Sequence, residues 1–534
     1  MALLNKISSN STGLRFAEED TLKTVSGDEV WYGLDPNTYN DFGGEVQLVA
    51  RNPINADRQN RKGVVTNLEA AGGWNNDLTQ VNLQRLLQGF MFASFREKDN
   101  VANNAAGTPI TDLTSNVFTV TAHTFVVGDL LKGSGFDDSA NNVLMEVSAQ
   151  TATTITVVGP TLVDDASPAA YALGVEGAKL YKVGHQFATD DLSVDVSTGS
   201  LPRLVSTAGF DMTTLGLVPG ELAFLGGDAA DEAFDSVGNT AQFVRVRGIV
   251  TTTLSNDSIE LDKTSLTMVD EAGGGSETIR IFFGRVLKNE AIPANQIRRT
   301  YQLERSLSYP DDAATTELQA EYLTGAVGNE FTLNVASADK VTVDLGFLAA
   351  GYETLAAAAA PNIKSAVSSG GAPTLAEADA FNTSSDISRI KLSTAGGVSN
   401  PAALFAFATD LTLTISNNAS AEPALGVLGA LDIAVGNFTV GGSIEAYFVE
   451  TAAMQSVIDN ADITVEAHFV KANSGISFDI PLLSLGDGKL NVEKDQSIKI
   501  PLEIQAATGA KVHPTLDHTL LWVFWDYLPN AADA

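Results

Sequence analysis

The chain contains no cysteine. Disulfides, thiolate zinc sites, iron–sulfur ligation and cysteine nucleophiles are therefore excluded together. Basic residues are scarce: 32 Lys and Arg stand against 65 Asp and Glu in 534 residues, a formal charge of −33. Aromatics make up 7% of the chain and histidines number five. Long apolar runs are missing too. A stretch such as Leu355 to Ala360 is far shorter than the ~20 residues a membrane span needs. The first twenty residues mix Asn, Lys, Ser, Arg and Glu without the apolar centre of an export signal, so general secretion is not expected.

The hydrophobic share, 44%, is that of a folding chain. The length suits two to four domains, each able to bury a core. The acidity is diffuse: Val101 to Glu290 holds 24 acidic and 10 basic residues. That spread excludes an acidic tail and implies a negative surface. Such a surface repels DNA and anionic lipid, and it also serves solubility.

Period-2 alternation dominates. Thr412, Thr414 and Ser416 alternate with Leu411, Leu413 and Ile415, and Asp462, Thr464, Glu466 and His468 alternate with Ile463, Val465, Ala467 and Phe469. Ile476 to Leu485 and Ile498 to Ile504 behave alike. The pattern predicts strands with one buried and one wet face. Two stretches have helical spacing instead. Leu83, Leu86, Leu87 and Phe90 form one apolar stripe; Met454, Val457 and Ile458 form a shorter one, with Thr451 placed to cap it. The fold class is mainly β, an all-β sandwich or barrel or else an α+β architecture, with two short α-helices. Ala356 to Ala403, rich in Ala, Ser, Gly and Pro, reads as a long loop or locally disordered crossover.

An internal repeat lies between Val126 and Glu271. Gly128–Asp129–Leu130 corresponds to Gly220–Glu221–Leu222, Asn142–Val143 to Asn239–Thr240, and Thr154–Ile155–Thr156–Val157 to Ser258–Ile259–Glu260–Leu261. The growing offset puts a longer loop in the second copy, around Asp228 to Asp235. Two copies are too few for a solenoid, and the expectation is two related small all-β modules in tandem.

No strong catalytic constellation is present. In "KGSGFDD", Gly133 and Gly135 are followed by Asp138 where a dinucleotide fingerprint needs glycine, so a strand turn is expected. There is no Walker motif and no GxSxG elbow. His123, His185 and His468 are scattered; His513 and His518 sit five apart, and a polar loop outweighs a metal site there. "DAADEAFD" lacks calcium-loop spacing. Trp522, Phe524 and Tyr527 in "LLWVFWDYLP" read as packing residues. No enzyme activity, cofactor or metal is expected.

Three blocks carry a resemblance. "GDEVWYGLDPNTYNDFGGEVQLVARNPINADRQNRKGVVTNLEAAGGWNNDLTQVNLQRLLQGFMFASF" (Gly27 to Phe95) resembles the N-terminal half of tail tube proteins of long-tailed, siphovirus-type bacteriophages, with its basic "RQNRKG" strand start, Gly turn and amphipathic helix. Ile297 to Glu353 is similar to that family's middle section, where a strand ending in "LER" leads to "TGAVGNEFTLNV". Val435 to Phe469, followed by Gly475 to Ala506, is similar to its C-terminal half: strand, short helix, strand and long hairpin. The blocks cover somewhat more than half the chain. The departure is the stretch between Val101 and Glu290.

The resemblance implies a structural virion protein of the tail, assembled in the host cytoplasm, whose copies form hexameric rings stacked into a tube. It implies a negatively lined conduit through which genomic DNA passes unbound during ejection. The implied partners are further copies, a tape measure protein, and tail terminator or distal tail proteins, with no membrane. The implied division is a tail-tube core at 1–100 and 291–534, with inserted modules at 101–195 and 196–290 that project outward. Asp311, Asp312, Glu493, Lys494 and Asp495 are expected at loop tips facing neighbouring rings. The alternative is a β-rich surface adhesin or receptor-binding module. A third reading, a glycan-cleaving tail protein, needs a carboxylate pair in an aromatic groove, and no such cluster stands out.

Overall fold

Alternating side chains leave a strand few options but a sheet, and sheets are the dominant regular structure of the molecule. A computed structural model describes residues 6–533, apart from 55, 173–176, 197–200, 252–256, 265, 273–275, 309–317, 357–362, 373–377, 396–403, 406, 450, 491 and 493. Among the described residues the strands form one sixteen-stranded sheet, one thirteen-stranded sheet and a separate two-stranded hairpin, all antiparallel where paired.

The larger sheet contains a broad wall. Its strands follow the spatial order Pro36–Arg51, Arg61–Asp77, Thr342–Ala349, Gln319–Ala336, Ala408–Ser416, Thr439–Tyr447, Lys499–Ala507 and Ser474–Asp487. One face is apolar and buried, with Phe331, Leu333, Leu345, Leu413, Ile444 and Leu502 among its residues. Burying each such side chain contributes roughly 1.5–3 kcal/mol.

The helix Gln84–Met91 lies against this face through Leu86, Leu87 and Phe90, as its spacing predicts. Phe90 meets Phe347 at 5.1 Å between rings, and Phe347 stacks on Trp74 at the same separation. Close approach needs Gly89, where a Cβ would stand 2.5 Å from the Tyr301 hydroxyl. The helix stops at Phe92, which takes the left-handed conformation at φ 48°.

Behind that core lies a second layer. Its strand Leu521–Trp525 pairs with Arg285–Lys288 on one side and Ser474–Asp487 on the other. Trp522 and Phe524 point into the core of the wall. Leu521, Val523 and Trp525 point the other way, into a cluster with Leu222, Phe224 and Phe243 of the smaller sheet. The smaller sheet thus sits behind the core, away from the wall's polar face.

The smaller sheet is palindromic. One set of six strands is Ile110–Thr114, Val117–Val120, Asp129–Ser134, Leu144–Thr151, Thr154–Val158 and Lys179–Gln186. The other is Leu192–Asp195, Arg203–Ser206, Leu222–Leu225, Gln242–Val250, Ser258–Thr264 and Arg280–Phe282. From the centre outward both sets run sixth, third, fourth, fifth, second, first, and the two sixth strands pair with each other, His185 facing Ile281.

The sets repeat in detail. Val126 N–H donates to Asp129 and Val218 N–H to Glu221, while Gly128 N–H bonds Val147 and Gly220 N–H bonds Val246. Asn141 clamps the backbone of Val163 by two bonds, as Asn239 clamps Val269. The structural partner of Asn239 is therefore Asn141; the alignment on Asn142 is one residue off.

Four further expectations are corrected. Helices number three among the described residues, because Lys364–Val367 adds a single turn. That turn, with the strand Ile387–Thr394, lies inside the stretch expected to be loop. The strand is anchored by Leu392 and pairs along Ile463–Lys471. Parts of that stretch lie outside the described residues. Thr451 precedes the helix Ala452–Ile458 but is already helical, and its side chain makes no capping bond. The fourth correction concerns Ile463–Lys471 itself: Thr464, Glu466 and His468 are buried, because the smaller sheet covers the face expected to be wet.

Candidate assembly surfaces

Polar alternation on the wall produces an extended wet face. Thr332 stands opposite Thr414, and Asp344 accepts bonds from Asn75 and Asn334 on the flanking strands. Glu330, Asp410, Glu445 and Glu503 point to the same side as these residues by the two-residue period. Two cations rim the face: Lys340 pairs with Asp77 at 2.7 Å and Lys499 with Glu445 at 2.6 Å. The Lys499 bond holds the Glu445 carboxyl below its usual range. Among the described residues the face is an acidic sheet on which a shallow depression lies beside Glu330, Thr332 and Asp344, and no nucleophile and base converge in it.

The wall's outer strand, Pro36–Arg51, pairs only with Arg61–Asp77 among the described residues. Its other edge offers backbone donors and acceptors to a further strand. Beyond Glu45 and Glu69 these two strands leave the body as an arm. The arm exposes Val46, Leu48 and Val49 on one strand and Val64 and Val65 on the other, each about half or more exposed. Consecutive exposed valines mean that both faces are apolar. An uncovered two-stranded ribbon is marginal in water. Its tip carries Arg51, Arg58, Arg61 and Lys62 against a single acid, Asp57, which pairs with Arg61 at 2.9 Å.

A groove of about 620 Å³ opens at the arm's base, between the wall and the short hairpin Ser420–Pro423/Ala430–Ala434. Phe42, Leu68 and Leu348 line it with Asp41, Glu45 and Glu69, and no Lys or Arg does. Glu45 and Glu69 face each other directly across the two strands. None of these three acids has an ion-pair partner among the described residues. Leu425, Leu428 and Leu431 of the adjoining hairpin are exposed.

The smaller sheet is bound through buried polar contacts as well as apolar ones. Arg245 donates to Asp262 at 2.7 Å within its own sheet, and to Asp479 at 3.0 Å and Thr464 at 3.1 Å across the boundary. Burial opposes its charge, but the two carboxylates hold the guanidinium above its usual range. Phe243 stacks on His468 at 3.9 Å, and His468 bonds Ser477. His518, from the strand-bearing C-terminal segment, fills the turn at Gly220: a Cβ there would lie 2.2 Å from its ring. The ring is fully buried, and among the described residues neither nitrogen has a hydrogen-bond partner. Burial, then Lys288, Arg245 and Arg96, push it well below the ordinary histidine range. The chain enters this region at Arg96 and leaves it at Val286, and those two residues bond backbone to backbone.

Of the residues expected at loop tips, Asp311, Asp312 and Glu493 lie outside the described residues. Lys494 and Asp495 occupy an exposed turn and pair with each other at 3.9 Å. His513 bonds Thr515 and is not brought together with His518 as a ligand pair. Asp20, Asp28 and Glu29 gather carboxylate oxygens at the surface, where Ser26 donates to the last two. No described helix is long and apolar enough to cross a membrane. The arm was missed as an arm: the sequence marks "RQNRKG" as a strand start, although a basic turn flanked by valines on alternating faces is its signature.

The family model described as phage tail tube protein matches residues 9–506. Among curated proteins, none matches the chain.

Proposed function

The chain belongs to the phage tail tube protein family, so it is a structural component of the phage tail, and from that premise we propose that its copies close into hexameric rings stacked as the tube of a siphovirus-type tail. The observation that carries this reading is the wall: one face is core, the other is wet and acidic, and its outer strand ends in an unpaired edge. A neighbouring copy pairing along that edge extends the sheet, and closure of the ring removes the last free edge. The wet face then lines the bore. Carboxylates such as Glu330, Asp344 and Glu503 repel phosphate, so DNA moves through during ejection without being gripped.

Tape measure protein inside the tube, and terminator and distal tail proteins at its ends, are the partners this reading needs. Assembly takes place in the host cytoplasm. Residues 1–100 and 291–534 act as the tube core in this scheme. The modules at 101–195 and 196–290 stand on the outer surface, because they sit behind the core from the wet face. Lys494 and Asp495, with Asp311, Asp312 and Glu493, are assigned to contacts between rings. No catalytic role is assigned. Negative-stain microscopy of the purified chain tests the reading: rings or tubes with a central channel are expected, and a strictly monomeric particle under all assembly conditions overturns it in favour of a surface-binding module.

A further inference from the structure

We infer that the arm tip of one copy docks into the groove at the arm base of the next copy, an inference that rests on the assembly reading above. The two surfaces are complementary in charge. The tip gathers Arg51, Arg58, Arg61 and Lys62 in a chain of net charge −33, and among the described residues Arg51, Arg58 and Lys62 make no ion pair. The groove gathers Asp41, Glu45 and Glu69 and is lined by no cation. Glu45 directly opposite Glu69 is a repulsive cross-strand pair in the isolated chain. A guanidinium between them converts repulsion into attraction.

The surfaces are also complementary in polarity. Both faces of the arm expose valine and leucine, and the groove and its rim present Leu68, Leu348, Leu428 and Leu431. An arm seated there covers its own apolar residues and those of the short hairpin together.

Geometry decides which copy is involved. From Glu45 to Arg51 an extended strand advances about 20 Å. The tip therefore stands far from the groove of its own chain, held out by strands that start at that groove's wall. Donor and acceptor are different surfaces of one molecule, so the contact is heterologous: it propagates from copy to copy, and closes only as a ring or continues as a stack. The short hairpin is part of the receptor, clamped to the body by Arg298 on Asp432 and by Lys23 on the Ala430 carbonyl.

The test is charge reversal with rescue, read by sedimentation and microscopy of assembled particles. Arg58→Glu with Arg61→Glu is expected to reduce assembly roughly tenfold or more, and Glu45→Lys with Glu69→Lys to do the same. All four substitutions together restore it. The replaced side chains are exposed, and an unchanged unfolding midpoint for each monomer shows that folding is not the cause. A parent chain that never assembles sinks the tube reading and this contact together. A parent that assembles beside an Arg58→Glu/Arg61→Glu variant that assembles equally well sinks the contact alone, as does a quadruple variant that stays dispersed while both pairs of reversals are defective.

Discussion

Two stretches with the same sequence texture meet opposite fates. In Ala408–Ser416, Thr412 and Thr414 lie on the wet face of the wall, while Leu411, Leu413 and Ile415 are buried. In Ile463–Lys471, Thr464, Glu466 and His468 alternate with apolar residues just as regularly, yet both faces are buried. The difference lies in what arrives from elsewhere in the chain. Arg245 and Phe243 of the smaller sheet cover the second polar face. Each of the three polar side chains there finds a partner: Thr464 donates to Ile480 and accepts from Arg245, Glu466 pairs with Arg389, and His468 bonds Ser477 through Nδ1. Alternation therefore reports that two faces differ. It does not report that the polar one is wet.

The largest effect expected from breaking this comparison is at Arg245. Arg245→Met leaves Asp262 and Asp479 buried without their cation, which costs about 3–5 kcal/mol. Urea unfolding of the monomer measures it. A loss below about 1 kcal/mol means that the smaller sheet is loosely attached and water reaches the boundary. Replacing all three charged residues by apolar ones of similar size should recover most of the loss, since it is the stranded charge that destabilises.

Acid acts next, through His518. Its imidazole is neutral in the fold, with its proton affinity lowered by burial and then by Lys288, Arg245 and Arg96; the acid Asp517 lies 4.0 Å away. The unfolded chain binds a proton near the ordinary value of about 6.5 that the folded chain refuses. Stability therefore rises with pH across the interval between the folded and unfolded values, and is lost as pH falls below about 6.5. One such group contributes at most about 1.4 kcal/mol per pH unit. His518→Phe keeps a planar ring over Gly220 without a titrating site. It should flatten the slope between neutrality and the carboxylate range, leaving the smaller contribution of His185, whose affinity is also lowered by burial. Identical slopes for parent and variant would show that the turn at Gly220 opens to solvent before it titrates.

How much of this was legible depended on whether the signal was local. The stripe Leu83, Leu86, Leu87 and Phe90 placed a helix within a residue of its observed start, since periodicity and burial coincide there. The repeat was legible because the turn at Gly128 and the turn at Gly220 each demand a glycine at positive φ followed by an acid that binds the backbone N–H three residues before that acid. The slip at Asn142 arose from adjacent asparagines, between which only the backbone clamp on Val163 distinguishes. The strand Ile387–Thr394 was hidden because its neighbours are Ala, Ser and Gly, and its partner is about seventy residues away. The arm and groove were hidden for a different reason. An exposed valine and a buried one look the same in sequence, and only the large exposed share of Val46, Leu48 and Val65 sets them apart.

The smallest effects are expected on the wet wall, and they are the sharpest check on the comparison. Glu503 is exposed and has no ion pair among the described residues. Glu503→Gln removes a charge that only solvent sees, so monomer stability should change by no more than about 0.5 kcal/mol. Thr414→Val removes a hydroxyl that meets Thr332 at 3.5 Å, a contact at the limit of hydrogen bonding, and should be equally mild. The matching change on the covered strand, Thr464→Val, strips a partner from Arg245 and should cost about 1–3 kcal/mol. If all three substitutions cost the same, the two polar faces are equivalent, and either the wall is covered in the free chain or the boundary at Arg245 is wet. If the wall variants are silent in the monomer yet alter assembled particles, the wet face is facing other copies or the bore, and its acidity belongs to the assembly.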